Sequence, residues 1–145
     1  MVEVYTDASY DDNKHICGMG IVIQDGVKQR TISNWCTADS VHYGEMFAIY
    51  MAAVLTNGKN ATIYTDSAVA LAYIKGEVKE ERQRNTSQYY LHQQMKVLAY
   101  KINKLAANIE KVKAHANNFK KKSIGNSLAD VLAKQGRSKY YNDFT

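Results

Sequence analysis

The sequence predicts an α/β fold in which a five-stranded mixed sheet, with a leading antiparallel hairpin and then parallel strands, is flanked by helices. Two observations predict this class. Short apolar, β-branched runs recur at strand length, and between the later runs apolar residues recur at helical spacing. The resulting order is β-β-β-α-β-α-α-β-α, in which strands and helices alternate after the hairpin. Since no linker or repeat divides the chain, we interpret residues 1–145 as a single domain.

The leading strands are expected at residues 2–6, 16–24 and 27–36. Asp25-Gly26 is a strong signal for a two-residue hairpin loop. Such a loop would set position 24 opposite position 27, which makes Cys17 and Cys36 diagonal neighbours rather than a directly opposed pair. Two cysteines cannot build a disulfide framework, and we expect two reduced thiols.

Helical periodicity begins after the hairpin. Phe47, Met51 and Leu55 recur every four residues and predict an apolar stripe on a helix from about Val41 to Thr56, which Asn57-Gly58 would end. A long amphipathic helix is predicted from Leu91, Met95, Leu98, Ile102 and Leu105. The remaining elements are expected at residues 61–65 (strand), 67–74 (helix), 107–112 (strand) and 124–136 (helix).

Composition excludes several classes of protein. Hydrophobic residues make up 46% and charged residues 23% of the chain, as in ordinary globular proteins. The net charge of +5 favours nucleic acid or another anionic surface as partner. No apolar run reaches the ~20 residues that a membrane helix needs, so no membrane association is expected. Because no basic segment followed by an apolar one opens the chain, we expect no cleaved signal peptide and a cytoplasmic location.

A short sequence motif that occurs twice in the chain marks a candidate site. Tyr5-Thr6-Asp7-Ala8-Ser9 and Tyr64-Thr65-Asp66-Ser67-Ala68 each end a predicted strand. If the two strands are parallel neighbours, Asp7 and Asp66 lie side by side, where a shared proton or a metal ion would relieve their repulsion. The alternative is that Asp66 caps the next helix and Asp7 starts a turn.

Two further acidic residues extend the pattern. Glu45 follows Gly44 on the first helix, and Asp130 is flanked by apolar residues of the last helix. A carboxylate on a core-facing stripe is costly unless it is paired or bound to a metal. The alternative for both residues is a solvent-exposed or N-terminal helix position.

Taken in order, these segments resemble type 1 ribonuclease H. The motifs that carry the resemblance are Thr6-Asp7-Ala8-Ser9, Gly44-Glu45-Met46, Thr65-Asp66-Ser67, Val112-Lys113-Ala114-His115 and Asn126-Ser127-Leu128-Ala129-Asp130. The resemblance covers nearly the whole chain and implies the ribonuclease H-like fold. It also implies an endonuclease that hydrolyses the RNA strand of RNA–DNA hybrids and leaves 5′-phosphate and 3′-hydroxyl ends. We expect a monomer.

The resemblance implies a two-metal-ion mechanism with Mg²⁺, with Mn²⁺ as a substitute. Asp7 would bridge both ions, while Glu45 and Asp66 would hold the ion nearer the leaving group. Asp130 would help to hold the ion that activates water. His115 would assist proton transfer or product release, the alternative being an ordinary surface histidine. The segment between His115 and Asp130 is longer than in common bacterial members.

Four residues are predicted to bind substrate by the same resemblance: Ser40, Asn85, Lys113 and Asn126. Ser40 stands where the family often has a threonine that touches the nucleic acid. Asn85 would serve a DNA-phosphate pocket or simply cap a helix. Lys113 belongs to a basic stretch at residues 110–122, which is either a phosphate patch or a solvated loop.

Residues 75–88 mix basic and acidic residues without tryptophan, which predicts a reduced substrate-binding protrusion. Two other functions stay open. One is another nuclease of the same fold, of the resolvase or transposase type, and the other is a non-catalytic module that binds hybrids.

Overall fold

One mixed β-sheet flanked by helices organises the chain in this computed structural model. The elements are β1 (Val2–Asp11), β2 (Ile16–Asp25), β3 (Lys28–Thr37), α1 (Val41–Leu55), β4 (Ala61–Thr65), α2 (Ala68–Ile74), α3 (Ser87–Lys104), β5 (Asn108–Lys111) and α4 (Lys121–Phe144). The strand order is β3-β2-β1-β4-β5, with β1 antiparallel to β2 and parallel to β4. The structure describes residues 2–57, 60–79, 86–105, 107–112 and 121–144. The predicted fold class and order of elements are confirmed.

The hairpin between β2 and β3 differs from the predicted one. Asp25 pairs with Lys28, so the loop is Gly26–Val27 rather than Asp25–Gly26. Gly26 adopts a positive φ of 61°, a conformation that glycine reaches without steric cost. The register is therefore shifted by two residues, and Cys17 lies directly opposite Cys36.

Strand β1 is longer than predicted, and its two partners cover different parts of it. It pairs with β2 along its whole length, as far as Asp11 opposite Ile16. Its pairing with β4 ends at Tyr5 opposite Tyr64. β1 continues to Asp11, whereas β4 ends at Thr65 and is followed by α2. The last residues of β1 therefore have no β4 partner, which leaves a notch in the sheet at the carboxyl end of β4.

Helices α1, α2 and α3 share the core on one face of the sheet. Successive strand residues point to opposite faces, so Val4 packs with these helices whereas Tyr5 packs with α4. The buried residues of α1 include Met46, Ile49, Ala52 and Ala53. The predicted stripe of Phe47, Met51 and Leu55 is half-buried and packs against the edge of this core. The alanines face the sheet because their small side chains let α1 lie close to it.

Helix α4 covers the opposite face and continues to Phe144, well beyond the predicted end at residue 136. Its last turns pack on β3, where the Trp35 ring lies 5.0 Å from that of Tyr140 and 5.5 Å from that of Phe144. Within the described ranges, none of the helices has both the length and the apolar character needed to cross a membrane.

Glycines on β2 set how closely α4 approaches the sheet. A Cβ atom built on Gly20 would lie 2.0 Å from the backbone oxygen of Ala129, and one on Gly18 would lie 2.0 Å from that of Ala133. Backbone atoms cannot move aside as flexible side chains do, so any larger residue would push α4 away from the sheet.

Replacing Gly20 by alanine is expected to lower the free energy of unfolding by about 3 kcal/mol, because a methyl group there overlaps the α4 backbone. Urea denaturation measures the change. The control is Gly26→Asn, since Gly26 has open space around it and asparagine tolerates its positive φ. Equal stability of Gly20→Ala and wild type would contradict the close approach of α4.

Candidate active site

The two segments that share the Tyr-Thr-Asp motif, residues 5–9 and 64–68, lie side by side in the structure. Tyr5 pairs with Tyr64 across the parallel β1 and β4 strands, and their rings stack with centroids 5.2 Å apart. The buried Thr6 hydroxyl donates to the backbone oxygen of Tyr64 at 3.2 Å. The register therefore brings Asp7 and Asp66, two residues further along each segment, to the same end of the sheet. The condition on which the two aspartates would lie side by side, that their strands are parallel neighbours, is met.

Helix α1 brings Glu45 to the same place. The helix begins after Ser40, whose hydroxyl accepts a hydrogen bond from the Tyr43 backbone N–H at 3.1 Å. Gly44 lies against β2, since a Cβ atom there would be 2.2 Å from the sulfur of Cys17. The missing side chain lets the second turn of α1 approach the sheet, and Glu45 is buried there at 8% exposure.

Asp7, Glu45 and Asp66 form a compact acidic cluster. One carboxylate oxygen from each residue lies within 4.8 Å of the other two. Asp7 and Glu45 are buried and Asp66 is half-buried. The exposed, solvent-facing position considered for Glu45 is therefore wrong.

The electrostatics of the cluster favour protons or cations. Burial raises the pKa of Glu45 to about 9, and the charges of Asp7 and Asp66 add to the shift. Burial also raises the pKa of Asp7 to about 7, followed by the charge of Asp66, while a hydrogen bond from the Ala8 N–H at 2.9 Å opposes the rise. Without a cation, both carboxyls therefore hold their protons at a pH where ordinary carboxyls are ionised.

Asp130 reaches the cluster from α4. Its side chain and charge contribute to the raised pKa of Asp7, which places the two carboxyls next to each other. Lys134, one helical turn further on, forms an ion pair with Asp130 at 3.2 Å. Sequence reasoning missed Lys134, although its i,i+4 spacing from Asp130 is a readable signal.

The donor set of the cluster fits a hard divalent cation. Mg²⁺ and Mn²⁺ prefer oxygen ligands, and carboxylates supply them here. The Oε2 atom of Glu45 is buried and has no hydrogen-bond partner. An orphaned buried carboxylate oxygen is costly, and a cation at this position removes that cost.

The remaining predicted site residues fall into two groups. Ser40 caps α1, and Asn126 is buried in the first turns of α4 with an Oδ1 atom that has no hydrogen-bond partner. Asn85, Lys113 and His115 lie outside the described residues. The segment that links His115 to α4 lies outside them as well.

A cleft of about 260 Å³ lies between the starts of α1, α2 and α3. The residues lining it are Ser40, His42, Val69, Tyr73, Gln88, Leu91, His92 and Met95. The sequence pointed only to Ser40, because the others come from three separate helices that no local pattern connects. Ser40 and His42 of this lining lie near the start of α1, the helix that carries Glu45, but the carboxyl groups of the acidic cluster do not line the cleft.

Comparisons with solved structures agree with this architecture. RNase H1 from the halophilic archaeon Halobacterium salinarum is 14% identical, with a TM-score of 0.71 over 95% of this chain and 98% of that one. LC11-RNase H1, solved in complex with an RNA/DNA hybrid, is 17% identical, with a TM-score of 0.68 over 97% and 99% of the two chains. The protease–reverse transcriptase of prototype foamy virus is 25% identical, with a TM-score of 0.65. That match covers 93% of this chain but 20% of the viral one.

No curated protein matches the sequence significantly. The family model described as RNase H matches residues 1–138, which is almost the whole chain. With the strand order, the acidic cluster and these similarities together, the chain belongs to the RNase H family of ribonucleases.

Proposed function

We propose that the chain hydrolyses the RNA strand of RNA–DNA hybrids at the Asp7–Glu45–Asp66 cluster and leaves 5′-phosphate and 3′-hydroxyl ends. The observation that carries the proposal is the convergence of three carboxylates, two of them buried, with one orphaned oxygen on Glu45. A merely structural cluster of this kind would be destabilising, whereas a cation-dependent phosphodiesterase requires one. LC11-RNase H1, which was solved with a hybrid, has the same fold.

Two Mg²⁺ ions are proposed as cofactors, with Mn²⁺ as a substitute. Asp7, Glu45, Asp66 and Asp130 would hold these ions. Divalent cations supply neutralisation of the phosphate charge and activation of water in such reactions.

The residues of the chain have distinct tasks in this proposal. The buried Asp7 and Glu45 fix the cluster on β1 and α1. Asp130, less buried, faces the open side, where Lys134 balances its charge. His115 is proposed to move a proton or to help product leave.

The cleft that Ser40 lines is proposed to take a phosphate or sugar of the substrate. The Ser40 oxygen accepts the helix-capping hydrogen bond, which leaves its own O–H free to donate to a phosphate oxygen. Hybrids are recognised mainly through phosphates and 2′-hydroxyls, and the hydroxyl of Ser40 is a suitable donor to either group. Asn85, Lys113 and Asn126 keep their predicted roles in substrate binding, and the domain is proposed to act as a monomer.

Substituting Asp7→Asn is expected to lower kcat for a labelled hybrid by about 10³-fold, because it removes several kcal/mol of cation-mediated charge stabilisation. Asp25→Asn, on the exposed end of β2, is the matched control and should cut like wild type. Duplex DNA and four-way junctions are assayed in parallel. Cleavage of either at the hybrid's rate would point instead to a resolvase-like nuclease, and binding without cleavage would point to a non-catalytic module.

The metal-free protein should become less stable as the pH rises. Asp7 and Glu45 hold protons in the folded state up to about pH 7 and 9, whereas the unfolded chain loses them near pH 4. The folded state therefore binds more protons between these limits, and the free energy of unfolding falls across them.

Urea unfolding in EDTA at pH 5, 7 and 9 measures this loss, and Glu45→Gln should flatten it because glutamine does not titrate. Added Mg²⁺ should stabilise wild type more at pH 8 than at pH 5, since protons compete with the cation for the carboxylates. Parallel pH profiles for wild type and Glu45→Gln would show that the Glu45 carboxyl is not protonated in the folded state.

Replacing Ser40 by aspartate is expected to raise KM for the hybrid about tenfold with little change in Tm. Aspartate still caps α1, but its charge repels a phosphate in the cleft. Ser40→Asn, which also caps the helix without adding charge, is the control. An unchanged KM for Ser40→Asp at low salt would remove Ser40 from the substrate-binding surface.

A further inference from the structure

The contact between α4 and β2 is made by small residues. On β2 the helix lies over Gly18 and Gly20, and it presents the backbone of Ala129 and Ala133 to them. Helices normally lock onto their neighbours through side-chain ridges that enter grooves. The contact between these small residues fixes the distance between α4 and β2, whereas directional contacts fix the position of α4 along its own axis. One of them joins α4 to β3, since the Ser33 hydroxyl donates to the backbone oxygen of Leu132 at 2.6 Å.

Arg137 provides a directional contact between α4 and β1. Its Nη1 atom donates to the backbone oxygen of Tyr10 at 3.1 Å and lies 3.5 Å from the hydroxyl of Ser9. Its Nε atom donates to the Tyr141 hydroxyl at 2.8 Å, and that hydroxyl donates to the Asp11 carboxylate. One guanidinium thus holds three consecutive residues at the end of β1, directly or through Tyr141.

The spacing of these contacts matches on the two elements. Asp130 and Arg137 are seven residues apart on α4, which is about 10.5 Å along the same helix face. Asp7 and Tyr10 are three residues apart on β1, which is about 10 Å. Nearer the start of α4, Gly125 packs against the ring of Tyr5, which likewise precedes Asp7 on β1. Contacts that come later on α4 therefore also come later on β1, so the two elements run in the same direction.

We propose that Arg137 is a positioning residue: by fixing α4 lengthwise on β1, it holds the Asp130 carboxylate beside Asp7. A slip of one residue would move Asp130 by about 1.5 Å along the axis and turn it by about 100°. A displacement of that size in a reacting assembly costs on the order of 10²-fold in rate. The catalytic part of this inference rests on the proposed function, whereas its effect on cation binding does not.

Lys139 supplies a matched control. Its Nζ atom donates to the backbone oxygen of Ser33 at 2.5 Å, so it ties the same helix to β3 instead of β1. Lys139→Ala removes a cationic contact of α4 with a strand backbone, two residues from Arg137, but leaves the contact with β1 intact. If Arg137 only stabilised the fold, both substitutions would lower Tm and neither would change Mn²⁺ affinity.

The experiment compares Arg137→Ala, Tyr141→Phe and Lys139→Ala in the full chain. Calorimetry measures Mn²⁺ binding, thermal unfolding measures Tm, and hybrid cleavage measures kcat and KM. Arg137→Ala should weaken Mn²⁺ binding about tenfold and lower kcat by about 10- to 100-fold, with KM within twofold of wild type. Lys139→Ala should lower Tm at most and leave Mn²⁺ affinity unchanged.

Tyr141→Phe keeps the ring but removes the hydroxyl that links Arg137 to Asp11. It should weaken Mn²⁺ binding about threefold, and it tests the proposal even if Arg137→Ala fails to fold. Equal Mn²⁺ affinities for Tyr141→Phe, Lys139→Ala and wild type would overturn the positioning role. If wild type binds Mn²⁺ but cuts no hybrid, the proposed function fails, while the comparison of affinities still decides the role of Arg137.

Discussion

The mutual repulsion of Asp7, Glu45 and Asp66 is the constraint on which the rest of the structure depends. Two ionised carboxylates at their separation of up to 4.8 Å oppose each other by roughly 3 kcal/mol at an effective dielectric constant of 20. Burial of Asp7 and Glu45 adds a desolvation cost to this repulsion. The surrounding fold must therefore hold the three side chains together against their own electrostatics, and it does so from β1, α1 and the end of β4.

Close backbone packing supplies that rigidity. Gly44 brings α1 onto Cys17, while Gly18 and Gly20 bring α4 onto β2. Side chains from both faces of the sheet can reach the notch, where β1 extends beyond the end of β4. Glu45 enters it from the α1 side and Asp130 from the α4 side, so two helices that never share a core meet at one group of carboxylates.

What the sequence revealed depended on whether the signal was local. The repeated Tyr-Thr-Asp motif pointed to Asp7 and Asp66 as neighbours if their strands paired in parallel. They do so with Tyr5 opposite Tyr64, which puts the same residues at the same place on two strands. The hairpin register was wrong by two residues, an error that strand periodicity cannot detect because it keeps every side chain on its face. The end of α4 was missed because Trp35, which its last turns contact, lies about a hundred residues away.

The negative charges of the acidic site are neutralised differently on its α1 side and on its α4 side. Asp7 and Glu45 are shielded from water, and protons or cations must neutralise them in place. Asp130 is instead balanced by Lys134, whose side chain is 68% exposed. An ion pair with one partner so exposed contributes little stability, so in the proposed function a cation would displace Lys134 at small cost. Burial on the α1 side and exposure on the α4 side would then give the proposed site a tightly constrained half and a readily exchanged half.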